Sequence, residues 1–158
     1  MVEVKGLSFK YSPSGPDILR DVSFAIEDGQ CAAVLGNNGA GKPTLLKCID
    51  RILQPAGEVR VDGDNVLSLG RRELAKRVAY VAQNARAADM TVYDTVLLGR
   101  RPYIGWDAAE HDREVVAEVM ELMGVTPLAL RSLAELSGGE AQKVMLARAL
   151  AQEPRLLL

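Results

Sequence analysis

The segment GNNGAGKPT, Gly36 to Thr44, constrains this chain more than any other stretch. The apolar run Cys31-Ala32-Ala33-Val34-Leu35 before it predicts a strand, and Leu45-Leu46-Lys47-Cys48-Ile49 after it predicts the opening of a helix. A strand, a glycine-rich turn and a helix with Gly-Lys at its start is the layout of a phosphate-binding loop, whose pattern is G-x-x-x-x-G-K-[ST]. Glycines let the backbone curl until successive N–H groups point inward at an anion. The helix start adds its positive end, and Lys42 a full charge for the outer phosphates. The candidate nucleotide-binding residues are therefore Gly36, Asn37, Asn38, Gly39, Ala40, Gly41, Lys42, Pro43 and Thr44, with Lys42 also the candidate catalytic cation.

One position departs from the pattern. Pro43 stands where the loop needs a hydroxyl. It removes the ligand such loops offer to Mg²⁺, takes one backbone N–H out of the nest, and disfavours helical geometry at Lys42 just before it. Thr44 lies a further ~100° round the helix and is a poor substitute. Proline is nonetheless well tolerated in the first turn of a helix. The fold is expected to survive Pro43 better than the chemistry, with nucleotide affinity reduced rather than abolished.

The 158 residues suffice for one domain with a core of its own, and 48% hydrophobic with 25% charged residues is ordinary globular composition. A net charge of -2 gives no bulk electrostatic case for nucleic acid. No apolar run reaches the length of a membrane span and no leader pattern opens the chain, so service to a membrane is expected through a partner. Cys31 and Cys48 read as buried small apolar residues of a reduced protein.

Val2, Val4, Leu7 and Phe9 suggest a first strand, Val22, Phe24 and Ile26 alternate as a second, Val59 and Val61 form a short one, and Leu69 to Lys76 reads as helix. From Thr91 the pattern turns helical, over 91–98, 107–123 and 138–152. Asp107 with Glu110, and Ser137 with Glu140, have capping-box spacing, and Gly124 reads as a helix stop. Arg155 to Leu158 begins an apolar, strand-like run after Pro154.

LSGGEAQKVMLARAL, residues 136–150, repeats the physical idea of the loop. Ser137 caps a helix whose first N–H groups are bared by Gly138 and Gly139, and Glu140 closes the box. Two glycine-rich helix starts make sense if two chains pair, each loop facing the other chain's capped helix across a nucleotide. LSGGE with Gln142, at this separation from the phosphate loop, resembles the signature of ATP-binding-cassette (ABC) ATPases. Tyr11 in FKYS resembles the aromatic that stacks on adenine in that family, and Gln83 in VAQN resembles its Q-loop glutamine, which contacts Mg²⁺ or water and touches the membrane partner. GRRPYIGW, within residues 97–125, is similar to the ATPase subunits of importers for iron chelates (siderophores), haem and cobalamin.

The resemblance implies an α/β P-loop fold of the ABC type, a mixed sheet with antiparallel N-terminal strands plus a helical subdomain. Residues 1–88 would form the α/β core, 89–136 the helical subdomain, and 137–158 the signature helix and the start of the Walker B strand. ATP and Mg²⁺ are the implied cofactors, bound by Tyr11, the loop, and Ser137, Gly138, Gly139 and Glu140, with Gln83 the remaining metal and water contact. Transmembrane permease subunits, a second nucleotide-binding domain and, indirectly, a substrate-binding protein are the implied partners, at the cytoplasmic face of the membrane; nucleic acid is not among them. The rival expectations are a non-hydrolysing module that binds nucleotide or permease, and a soluble ABC protein acting on DNA or ribosomes. The absence of a long coiled-coil insertion between Gln83 and Leu136 disfavours a DNA-repair role.

In the family, a strand like 155–158 continues into an Asp and a Glu, and these with the C-terminal part of the core are expected to lie beyond Leu158. His111, among charged residues, reads as part of a solvated face rather than as a base, and Asp62, Asp64 and Asp89 have no metal-ligand spacing. These 158 residues are therefore expected to release phosphate from ATP only at background. Pro43→Ser alone should not rescue turnover, because general-base assistance is worth roughly 10²–10⁴-fold; Pro43→Ser joined to a segment carrying the Asp-Glu pair should. Robust phosphate release from the single substitution would mean that another carboxylate in this chain does that work.

Overall fold

The computed structural model describes residues 1–82 and 89–158. The chain divides into two compact units, Met1–Val78 with Leu158, and Ala79–Leu157.

The first unit is built on a four-stranded antiparallel sheet in the order β2-β1-β3-β4. Strand β1 (Val2–Phe9) pairs with β2 (Leu19–Ile26) on one side and β3 (Ala56–Val61) on the other, and β3 pairs with β4 (Asp64–Asn65). Val2 and Val4 point inward at the two-residue spacing of a strand, but the next inward residue is Leu7. Register shifts on both sides of β1 fall in this interval, where Gly6 adopts a left-handed φ of 60°. The irregularity, of the β-bulge kind, inserts a residue and resets which side chains face the core. Opposite it, Gly57 is obligatory: a Cβ there would lie 2.6 Å from the Gly6 carbonyl oxygen, on a φ of 103°. In the same unit, helix α1 (Lys42–Ile49) buries Leu45, Cys48 and Ile49. The short helix α2 (Arg71–Ala75) adds Leu74.

The expected strand over Cys31–Leu35 does not form. Residues 31–37 adopt neither helix nor strand, Leu35 is 89% exposed, and Cys31, expected to be buried, is exposed. A strand exists through its ladder partners, and among the described residues no strand lies alongside this run. Cys48 is buried as expected, and desolvation pushes its thiol up to about 11, which leaves it unreactive at neutral pH.

The second unit is mainly helical. Helices α3 (Val92–Leu97), α4 (Glu110–Leu122) and α5 (Gly138–Ala151) enclose a core of Val92, Val96, Val116, Met120, Val125, Leu133, Val144, Ala147 and Ala151. Thr91 caps α3, its hydroxyl accepting from the Asp94 N–H. The Asp107–Glu110 capping box does not form: Asp107 accepts from the Ala108 N–H, and α4 starts at Glu110 with Asp112 accepting from the Ala109 N–H at 3.0 Å. Asp112 reaches the helix start more directly because it sits at the third helical position. Gly124, at φ 65°, follows α4 as a left-handed stop. Among the described residues no helix is long and apolar enough to cross a membrane.

Leu7, within β1, is fully buried whereas Leu130 is 88% exposed. Leu7→Ala should therefore cost about 2–5 kcal/mol in urea unfolding, and Leu130→Ala should stay within about 0.5 kcal/mol of the parent.

Candidate functional site

Helix α1 begins without a side-chain cap. Its N-cap residue is Gly41, at φ 90°, and its first turn carries no acidic residue. The first N–H groups of a helix have no partner inside it, so this end presents bare donors and uncompensated positive potential. Gly39, at φ 86°, and Gly41 hold the left-handed conformations that the curl requires. At Gly41 a Cβ would also press on Ile18, 3.2 Å from Cγ2 and 3.3 Å from the carbonyl oxygen, so glycine is needed there twice over.

Lys42 folds back over the loop. Its ammonium donates to the carbonyl oxygens of Gly36, at 2.5 Å, and Asn37, at 3.0 Å. The charge is thus held within the concavity by two neutral acceptors, contacts that a phosphate oxygen can replace with a stronger charge-assisted one. Pro43 occupies the first turn and is exposed. Thr44 is 6% exposed, and its hydroxyl lies 3.0 Å from the phenolic oxygen of Tyr11. Tyr11 is 65% exposed and meets Phe9 edge to face, with ring centroids 5.0 Å apart. One ring face is therefore free of Phe9, and the tie to Thr44 places the aromatic beside the loop. No local pattern announces that hydrogen bond, which joins residues 33 apart in the chain.

In the second unit, Ser137 and Glu140 form the expected capping box. The Ser137 hydroxyl oxygen accepts from the Glu140 N–H, and Glu140 Oε2 accepts from the Ser137 N–H at 2.9 Å and from its hydroxyl at 2.6 Å. These hydrogen bonds from Ser137 hold the Glu140 carboxyl below its ordinary pKa. Gly138 and Gly139 have nothing within 4 Å of where a Cβ would stand. Packing within the chain does not require glycine there; the bare backbone is open to an approaching group.

Gln83 lies outside the described residues. His111 is on the exposed face of α4, with Nδ1 3.5 Å from Glu114 Oε2, in agreement with a solvated role. Asp64 is paired with Arg77 at 2.8 Å, Asp62 holds the N-terminal ammonium at 2.9 Å, and among the described residues no cluster has the makings of a metal site.

A family model described as "ABC transporter" matches residues 19–158. The chain belongs to the ABC transporter family. An uncharacterized ABC transporter ATP-binding protein of Methanocaldococcus jannaschii is 46% identical over all of this chain, which spans 62% of that protein. The cobalamin import ATP-binding protein BtuD of Halobacterium salinarum is 41% identical over 99% of the chain and 39% of its own length. A phosphonates import ATP-binding protein, PhnC 1 of Ruegeria sp., is 37% identical over all of the chain and 65% of its own length. The chain thus spans less than two thirds of the length of these curated relatives. A dimeric ATP-binding cassette in a post-hydrolysis state, bound to ADP and Pi, superposes with a TM-score of 0.81 at 28% identity, over 99% of this chain and 72% of that one. The architecture is accordingly the α/β P-loop fold of ABC cassettes.

A carboxylate with a depressed folded pKa contributes stability that is present above its unfolded value, near about 4.3, and is lost as pH falls through the folded value. In this ABC chain the α5 capping box should therefore open at acid pH, below the ordinary glutamate range. Ser137→Ala should move the Glu140 carboxyl back up toward that range, read by carbon-detected NMR titration. An unmoved titration would place the cause outside the box.

Proposed function

We propose that this chain is the nucleotide-binding part of the ATP-binding subunit of an ABC importer, working at the cytoplasmic face of the membrane. Its partners are transmembrane permease subunits, a second nucleotide-binding domain and, indirectly, a substrate-binding protein. The observation that carries the reading is the uncapped start of α1, where glycines at φ 86° and 90° and the looped-back Lys42 leave bare N–H donors for an anion. ATP fits: its phosphates take the nest and Lys42, and its adenine the open face of Tyr11. Gly138 and Gly139, open to the outside, suit the γ-phosphate side of a nucleotide held by the second domain. That the solved cassette at 28% identity is a dimer bound to ADP and Pi supports this use of the two sites.

The substrate class we favour is an iron chelate, haem or cobalamin, on GRRPYIGW and on the similarity to a cobalamin import protein; the phosphonate import relative marks the competing class. A second reading rests on the loop itself. Position 43 offers no metal ligand, and the Thr44 hydroxyl is engaged by Tyr11. Both features support the alternative role, a module that binds nucleotide without hydrolysing it.

Two measurements test these readings. By titration calorimetry the chain should bind ATP, with little gain from Mg²⁺. Pro43→Ser restores a hydroxyl, an N–H and freedom at Lys42; with charged hydrogen bonds worth about 1.5–3 kcal/mol each, affinity in Mg²⁺ should rise about 10- to 100-fold. A large Mg²⁺ effect that survives both Thr44→Val and Gln83→Ala would contradict the account of the loop. For the partner, Trp106 is fully exposed and its cysteine variant, in a Cys31→Ser background, should cross-link to a co-expressed iron-chelate-class permease. Labelling no stronger than from Asp62→Cys would overturn the docking.

A further inference from the structure

The GRRPY segment does something its sequence does not announce. Arg100 is 1% exposed, and its guanidinium is used in three directions. Nε donates to Asp112 Oδ1 at 2.9 Å, one terminal nitrogen donates to the Ala151 carbonyl at 2.9 Å and to Glu153 Oε2 at 2.5 Å, and the cation stacks on the Tyr103 ring 4.0 Å from its centre. Tyr103 in turn donates its hydroxyl to the Gln152 carbonyl at 3.1 Å. Ala151 and Gln152 are the last residue and the C-cap of α5.

Carbonyls at a helix C-terminus have no partners inside the helix, and a cation there suits the negative end of its dipole. Arg100 and Tyr103 supply both needs. The fit is close: just before Arg100, a Cβ on Gly99 would lie 2.1 Å from the Arg148 carbonyl oxygen and 3.0 Å from the Ala151 Cβ. Just after the helix, Glu153 holds a left-handed φ of 50°, a conformation usually left to glycine, and Arg100 binds its carboxylate. Burial works against the guanidinium's charge, yet the Glu153 and Asp112 carboxylates outweigh it and hold its pKa above the ordinary value.

We propose that Arg100, with Tyr103, is a positioning residue for the signature end of α5: it fixes the helix at its C-terminus and so sets where Ser137–Glu140 stand at the other end. An α-helix transmits an axial shift or a rotation with little loss, and the 14 residues of α5 span about 20 Å. Placement of Gly138 and Gly139 thereby depends on the segment that carries the exposed Trp106. The consequence for nucleotide-driven pairing rests on the proposed function above; the mechanical claim does not.

The test uses the full chain in a Cys31→Ser background with spin labels at the exposed positions Glu118, on α4, and Gln142, in the early part of α5. The parent should give one narrow label-to-label distance. Arg100→Lys keeps the charge but loses the planar fork that serves Asp112 and α5 together, and Tyr103→Phe removes only the hydroxyl donor. Both should broaden or shift the distance while helicity by circular dichroism is unchanged, the lysine variant more than the phenylalanine one. ATP-dependent self-association should weaken about tenfold in Arg100→Lys, as expected for losing charge-assisted bonds, with ATP affinity of the single chain unaltered. An unchanged distance in both variants, even with a lowered melting temperature, would overturn the proposal and leave Arg100 a packing residue. Failure of the parent to associate with ATP would count against the proposed function instead, and the distance measurement would still decide the clamp.

Discussion

A helix that starts at a surface leaves its first N–H groups without partners, and how each start disposes of them governs this molecule. At α5 the chain meets part of the demand itself, through the Ser137–Glu140 box, and adds a negative charge to the first turn. At α1 it meets none of it with a side chain: the N-cap is glycine, the first turn has no acid, and Pro43 simply deletes one donor. The two ends are therefore not equivalent. The α1 start carries neither a side-chain cap nor an acidic residue in its first turn, whereas α5 carries both yet keeps Gly138 and Gly139 open to the outside. That asymmetry suits a pair of half-sites in which one end grips a phosphate and the other completes its surroundings.

The second unit answers a different demand. A guanidinium keeps its charge under any physiological condition, so burying Arg100 obliges the fold to bring acceptors to it. It does so with Asp112 from α4 and with Ala151 and Glu153 from the end of α5. Asp112 also accepts from the Ala109 N–H and thereby starts its own helix. Burial alone would raise the Asp112 pKa; the bonds from Arg100 and Ala109 overcome it and hold the carboxyl below its usual value. One buried ion pair thus fixes the beginning of α4 and the end of α5. Removing one partner of such a pair leaves a buried charge uncompensated, which is why these interactions act as constraints on geometry more than as net sources of stability.

The phosphate loop shows how a single residue separates fold from chemistry. Pro43 is compatible with the first turn of α1, which forms around it. The hydroxyl one residue later does not replace what Pro43 removes: Thr44 is turned inward and bonded to Tyr11. Architecture depends on glycine conformations and on the apolar side of α1, both intact here. Metal ligation by a loop of this pattern uses a hydroxyl oxygen at this position, and proline carries none.

The sequence by itself determined the features that are local. The loop's glycines, the Ser137–Glu140 box and the Gly124 stop follow from backbone preference and side-chain reach over a few residues, and all are present. It misplaced Asp107 as a helix cap because two acids compete within one turn and only three-dimensional reach selects Asp112. Tertiary structure alone decided the rest. Cys31–Leu35 has the composition of a strand, but a strand needs a neighbour to pair with, and none of the described residues supplies one. Arg100 looks like any surface arginine in GRRPY until residues 12, 51 and 53 positions away close around it. The Tyr11–Thr44 bond has the same origin. Such contacts are set by which segments the packed core brings together, and the spacing between the partners matches no local pattern.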